Sequence, residues 1–134
     1  MYSLAVSDHV MIAHSFIGEI FGPAQALHGA TYAVEMELRR AQLDGNGLVC
    51  DIGLALKALK AVLGELAYRN LDDLGEFRGR NTTTAFLAGE IFRRLKSRIE
   101  DGALGAGTAG ALAAMRVTLR ESPVAWAAFD GALD

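Results

Sequence analysis

His28-Gly29-Ala30-Thr31-Tyr32-Ala33-Val34-Glu35-Met36-Glu37-Leu38-Arg39 follows directly on a loop marked by Gly22-Pro23. From Tyr32 onward, apolar side chains at Val34, Met36 and Leu38 alternate with Ala33, Glu35, Glu37 and Arg39. That period of two is the signature of a half-buried β-strand. Residues two apart on a strand project from one face, so a His-x-His pair at its start could chelate one ion. Here the second position is Ala30, whose methyl cannot donate to a metal. The segment reads as a metal-binding strand with one ligand missing.

Working outward, residues 3 to 16 carry β-branched and aromatic residues around Val6, Val10, Ile12 and Phe16 and form a first strand. Leu43 to Gly47 is a turn by composition. Asp51 is an N-cap, after which Ile52, Leu56, Leu59, Leu63 and Leu66 recur at helical spacing. Asn81 and the threonine run cap a second helix, striped by Leu87, Ile91, Leu95 and Ile99 and ending near Asp101-Gly102. A Gly/Ala-rich connection leads to a strand through Met115, Val117 and Leu119. After Ser122-Pro123 a last strand runs to about Phe129. The expected fold is α+β: a four-stranded antiparallel sheet with two helices on one face, in one domain spanning residues 1–134. A four-stranded sheet has two edges, and unpaired edges invite association, which favours a closed homo-oligomer.

Composition excludes several classes of function. A formal charge of −3 gives no footprint for nucleic acid. The Gly/Ala-rich uncharged run Gly102 to Met115 is too short to span a bilayer, and Met1-Tyr2-Ser3-Leu4 does not open like a signal peptide. A single cysteine, Cys50, forbids an intrachain disulfide and fits a cytoplasmic location, where it reads as a small buried apolar group. Gly105-Ala106-Gly107-Thr108-Ala109-Gly110 matches a dinucleotide fingerprint literally. It follows a helix and precedes a strand, the reverse of what phosphate binding at a helix N-terminus needs, so it reads as a loop.

The chemically suggestive residues are His14 near the end of the first strand, His28 opening the second, Tyr68 to Asp72 after the first helix, Thr82-Thr83-Thr84, and Glu121-Ser122-Pro123 between the last two strands. In this order they resemble the 6-pyruvoyl-tetrahydropterin synthase family, which includes the 6-carboxytetrahydropterin synthases, over residues 11 to 129. The resemblance implies a T-fold, in which sheets join into a barrel around a three-fold axis and two trimers stack as a hexamer. It also implies a zinc-dependent lyase acting on a pterin side chain, and here the chain departs from the family. His14 and His28 fall on two zinc-binding histidines, but Ala30 stands at the third, whereas catalytic zinc needs three protein ligands. His9 lies an odd number of residues from His14 and belongs to the other face. The family's proton-relay positions are Ala24, Ala67 and Tyr68, of which only the last could donate a proton, and an ordinary phenol is a poor base at neutral pH. No catalytic residue and no zinc cofactor are therefore expected.

The ring anchor is intact. Glu121 matches the family's carboxylate, whose two oxygens complement the paired N–H donors of a pterin or guanine. Thr83 and Thr84 fall where backbone and hydroxyl groups at a helix start would meet the ring's carbonyl edge, although Thr82, Ala85 and Phe86 depart from the pattern. His14 and His28 are then a former metal pair lining the pocket. The leading expectation is a family homologue that keeps a pocket for a pterin- or purine-like small molecule without the synthase reaction. The alternatives are a lyase with substituted machinery, with Glu19 as a base, or a purely structural oligomer.

Overall fold

A computed structural model describes residues 1–134. Two long strands, β1 (Tyr2–His14) and β2 (His28–Arg40), come first, followed by α1 (Ile52–Gly64) and α2 (Thr84–Glu100). The shorter β3 (Ala114–Ser122) and β4 (Ala125–Ala132) complete a four-stranded antiparallel sheet in the order β1-β2-β3-β4. The ββααββ order and the α+β class are those expected from the periodicities.

Alternation decides which face each strand buries. Val34, Met36 and Leu38 of β2, and Met115, Val117 and Leu119 of β3, point at the helices and are almost fully buried. The helices answer with Ala55, Leu59, Val62 and Leu63 from α1 and with Leu87, Ile91, Leu95 and Ile99 from α2. Each large aliphatic side chain buried this way contributes about 1.5–3 kcal/mol of transfer free energy. Cys50 joins the same core, and burial pushes its thiol pKa up. The opposite sheet face carries Glu35, Glu37, Arg39, Arg116 and Arg120, with Arg116 paired to Asp130 across β3 and β4.

Local chemistry fixes the element ends. The Asp51 carboxylate accepts from the Leu54 amide at 2.9 Å to start α1, and the Thr83 hydroxyl accepts from the Phe86 amide at 3.2 Å to start α2. Asn81 is not a cap as expected: its side chain brackets the Ile17 backbone, accepting from N–H at 2.8 Å and donating to C=O at 3.0 Å. Gly102, at φ +94°, closes α2, as the Ala103 amide reaches back to the Arg98 carbonyl. The Gly105–Gly110 segment lies in the turn-rich connection to β3, as its position demanded.

Two boundaries differ from the sequence reading. β1 stops at His14 rather than residue 16, because the Ser15 amide and hydroxyl bond to Asp72 and the Phe16 amide to the Ala24 carbonyl, leaving the ladder. β2 starts at His28 as the sequence reading has it, with Gly29 and Ala30 carried into the sheet by pairing with Ala13 and Ile12. α1 ends at Gly64, yet Leu66 stays buried in the turns that follow. Those turns serve the sheet: the Tyr68 amide donates to the Met11 carbonyl at 2.7 Å and the Ala13 amide to the Arg69 carbonyl at 3.0 Å. Residues 68–70 thus lie on the outer edge of β1, with a parallel bridge between Ala13 and Asn70. No helix is long and apolar enough to cross a membrane.

Candidate functional site

The expected site residues fall into two groups on this single chain. The first forms at the open end of β1 and β2. His14 and His28 are the last registered pair of the two strands, and their ring centroids are 4.6 Å apart. Phe16 packs on both rings, at 4.5 Å from His14 and 5.4 Å from His28, and Phe21 packs on Phe16. Thr82 closes the cluster, its hydroxyl 3.0 Å from His14 Nδ1, and both His14 and Thr82 are 1% exposed. His28 Nδ1 donates to the Ala26 carbonyl at 2.9 Å, so its Nε2 is left as the acceptor.

Burial and the neighbouring His28 hold the His14 pKa below the ordinary 6.5, with Thr82 and Asp72 pulling the other way. A neutral His14 is the form that fits a buried ring beside a second imidazole. As for zinc, the donors do not fit. Ala30 is registered opposite Ile12, one strand-repeat along from His28, and no group of three His, Cys, Asp or Glu side chains is placed to hold an ion. His9 is on the other face, opposite Ala33. Asp72, whose charge reaches His14, is occupied by the Ser15 amide and hydroxyl.

The relay positions contain little acid–base chemistry. Ala24 and Ala67 present methyl groups. Tyr68 is the one non-glycine residue with a positive φ, at 59°, and its side chain is 87% exposed. Glu19 is exposed in the irregular turn between β1 and β2.

The second group surrounds Glu121. The register of β3 against β4 shifts between Arg120 and Ser122, so Glu121 is the extra residue of a β-bulge. On a regular strand consecutive side chains point to opposite faces, and a bulge re-aims one of them. Consequently Arg120 and Glu121 both line a cavity of about 310 Å³, together with His9, Thr31, Ala33, Ser122 and Pro123. Neither histidine of the first group borders it. Thr83 and Thr84 do not border it either: Thr83 is spent on capping α2.

Thr84 and Glu121 nonetheless both influence Tyr32. Burial raises the Tyr32 pKa above its usual 10, the Thr84 side chain offsets part of this, and the charge of Glu121 adds to it. The phenol therefore stays protonated between the start of α2 and the bulge. Of the site neighbours, Tyr32 and Arg120 were given no role from the sequence, His9 was assigned to the other face, and Thr82 was read as a departure from the family pattern. Tyr32 lies within the opening stretch; the other three depend on long-range pairing.

The whole-chain comparisons agree with this fold. Residues 3–132 match the family model for 6-pyruvoyl tetrahydropterin synthase. A search among curated proteins found no match. The solved Caenorhabditis elegans 6-pyruvoyl tetrahydropterin synthase superposes with a TM-score of 0.80 at 24% identity, covering 98% of this chain and 96% of that one. The Plasmodium vivax synthase gives 0.79 at 19% identity, covering 98% of both chains. An uncharacterized protein from Wolinella succinogenes gives 0.64 at 16% identity, over 96% of this chain and 97% of that one. With nearly its full length matched by the family model, and with the fold those structures share, the chain belongs to the 6-pyruvoyl tetrahydropterin synthase family.

Proposed function

We propose that this family member keeps a pocket for a pterin- or purine-like ligand at Glu121 and has given up both zinc and the synthase reaction. The observation that carries the reading is the contrast between the two groups of residues. At the histidine pair the third donor is Ala30 and the relay positions are Ala24, Ala67 and Tyr68. At the bulge Glu121 remains, lining a cavity of ligand size. A carboxylate gripping two ring N–H groups supplies orientation and affinity without any metal. The protein then binds, senses or carries its ligand, or performs a different step on it.

Assembly belongs to the same proposal. The edge of β1 over residues 2–10 and the edge of β4 are left for a second copy, and the family's barrel of three sheets, doubled to a hexamer, would pair them. Pockets between subunits would bring one chain's Glu121 toward another chain's His14 and His28. We place the protein in the cytoplasm, where Cys50 stays reduced.

Calorimetric titration with a panel of pterins and guanine derivatives tests the reading. Binding that disappears in Glu121→Gln supports it, and a wild type that binds none of the panel leaves only a structural oligomer. One zinc per purified chain would overturn the zinc-free part. The lyase reading keeps one specific support: solved variants of the Plasmodium vivax synthase replace a glutamate described as its catalytic residue. In this chain Glu19 is the carboxylate in the segment before His28. Turnover of dihydroneopterin triphosphate, lost in Glu19→Gln, would promote that reading.

A further inference from the structure

The polar face of the sheet treats two equivalent arginines differently. Arg116 and Arg120 sit four residues apart on β3, hence on the same face. The cross-strand partner of Arg116 is Asp130, and the two form an ion pair at 3.5 Å. The cross-strand partner of Arg120 is Trp126, and its guanidinium stacks over the indole, 4.8 Å from the ring centroid. Arg120 takes part in none of the molecule's ion pairs, whereas Arg93, Arg94, Arg98 and Arg116 are all paired. Glu121, at the bulge beside it, lines the same cavity, with His9, Thr31 and Ser122 also in its wall.

Stacking on an aromatic ring fixes the plane of a guanidinium and leaves its N–H edges free. Such a fork matches the paired oxygens of a carboxylate or phosphate. We propose that Arg120, held by Trp126, is a specificity-determining residue that selects ligands carrying an anionic substituent beyond the ring gripped by Glu121. The proposal rests on the reading of Glu121 as ring anchor. The two opposite charges divide one cavity: the carboxylate takes the donor edge of the ring, and the guanidinium takes the anion. Thr31 and Ser122 line the same cavity. Glu121 also disfavours a free anion without a ring to occupy its oxygens, because the two negative charges would share a small cavity.

The test is calorimetric titration of the full-length protein with pterin, pterin-6-carboxylate and dihydroneopterin triphosphate. Wild type should bind at least one anionic ligand about tenfold tighter than pterin, a difference of ~1.4 kcal/mol. A preference for the carboxylate alone or for the triphosphate alone supports the proposal and identifies the anion. Arg120→Gln should abolish the preference by weakening the anionic ligand about tenfold more than it weakens pterin, and Arg120→Lys should retain part of it. Both side chains are exposed, so folding is not at stake, and circular dichroism checks it. If the anionic ligands bind no tighter than pterin, or Arg120→Gln weakens all three equally, the proposal is overturned while the Glu121 reading stands. If none of the three binds, the Glu121 reading falls and this proposal with it.

Discussion

His14 and Thr82, 68 positions apart in sequence, form a buried hydrogen bond of 3.0 Å that joins the end of β1 to the segment entering α2. Their contact couples the protonation of His14 to the docking of α2. In the unfolded chain this histidine titrates near 6.5, whereas in the folded chain it titrates lower, first because it is buried and then because His28 is adjacent. The unfolded state therefore binds more protons in the window below 6.5. The stability that His14 supports is complete above that value and falls as the pH drops toward the folded pKa. Urea denaturation of wild type and His14→Gln across this range should show wild type losing stability faster on acidification. Parallel curves would sink the assignment.

Restoring the missing donor should restore the metal. Residue 30 shares a face with His28 and, through the register, with His14, so Ala30→His places a third imidazole at the open end of the strands. After dialysis against zinc and removal of excess, the variant should retain about one zinc per chain. Wild type treated identically should retain far less. Equal zinc in both proteins would mean that the pair already holds the ion by other means.

Thr83 illustrates a residue with a structural duty that can be separated from ligand recognition. Its hydroxyl accepts from the Phe86 amide, so Thr83→Ala should cost ~1 kcal/mol by thermal or chemical unfolding, and Thr83→Ser should recover nearly all of it. Ligand affinity in Thr83→Ser should be unchanged. A large loss of affinity there would show that the threonine methyl touches the ligand.

Arg94 ties three segments together. Its guanidinium bonds Glu65 after α1, Glu76 in the following turns and Glu90 one turn back on α2, at 2.8–3.0 Å. The arginine side chain is 17% exposed, but Glu65 and Glu76 are 37% and 55% exposed, so solvent screens much of the attraction. Arg94→Met should cost about 1–2 kcal/mol, less than a fully buried pair would. High salt should narrow the difference between the two proteins.

Tyr68 holds a left-handed backbone conformation with its ring in solvent. Asparagine tolerates that conformation better and adds none of the unfolded-state freedom of glycine. Tyr68→Asn should therefore stabilise the isolated chain by about 0.5–1 kcal/mol, measured by denaturant midpoint. A destabilised variant would show that the ring packs on something in solution.

The sheet and both helices were legible because their signals are local. The alternation from Tyr32 to Leu38, the Asp51 cap and the Leu87-Ile91-Leu95-Ile99 stripe each need only neighbours in sequence to be recognised. His14, His28 and Glu121 were found through their order along the chain. What stayed hidden depends on pairing across distance. The bulge at Glu121 is one residue of slippage between β3 and β4, which no periodicity in Arg116–Arg120 announces. His9 was set aside because it cannot face His14, and that same fact delivers it to the cavity of Glu121. Thr82 looked like a departure from a family pattern, yet it supplies the hydroxyl that satisfies His14.

Residues 68–70 have a further consequence for how copies of the chain could meet. By occupying the outer edge of β1 at Met11 and Ala13, they act as a doorstop. An incoming strand can zip onto residues 2–10 and then must halt, so sliding by one repeat in that direction is blocked. β4, Ala125–Ala132, is close in length to the stretch that remains open. A joint made there would have a preset offset, and in a ring of such joints each offset tilts the next sheet in the same sense. One short bridge after a helix thus acts as a gauge for the geometry of the whole assembly.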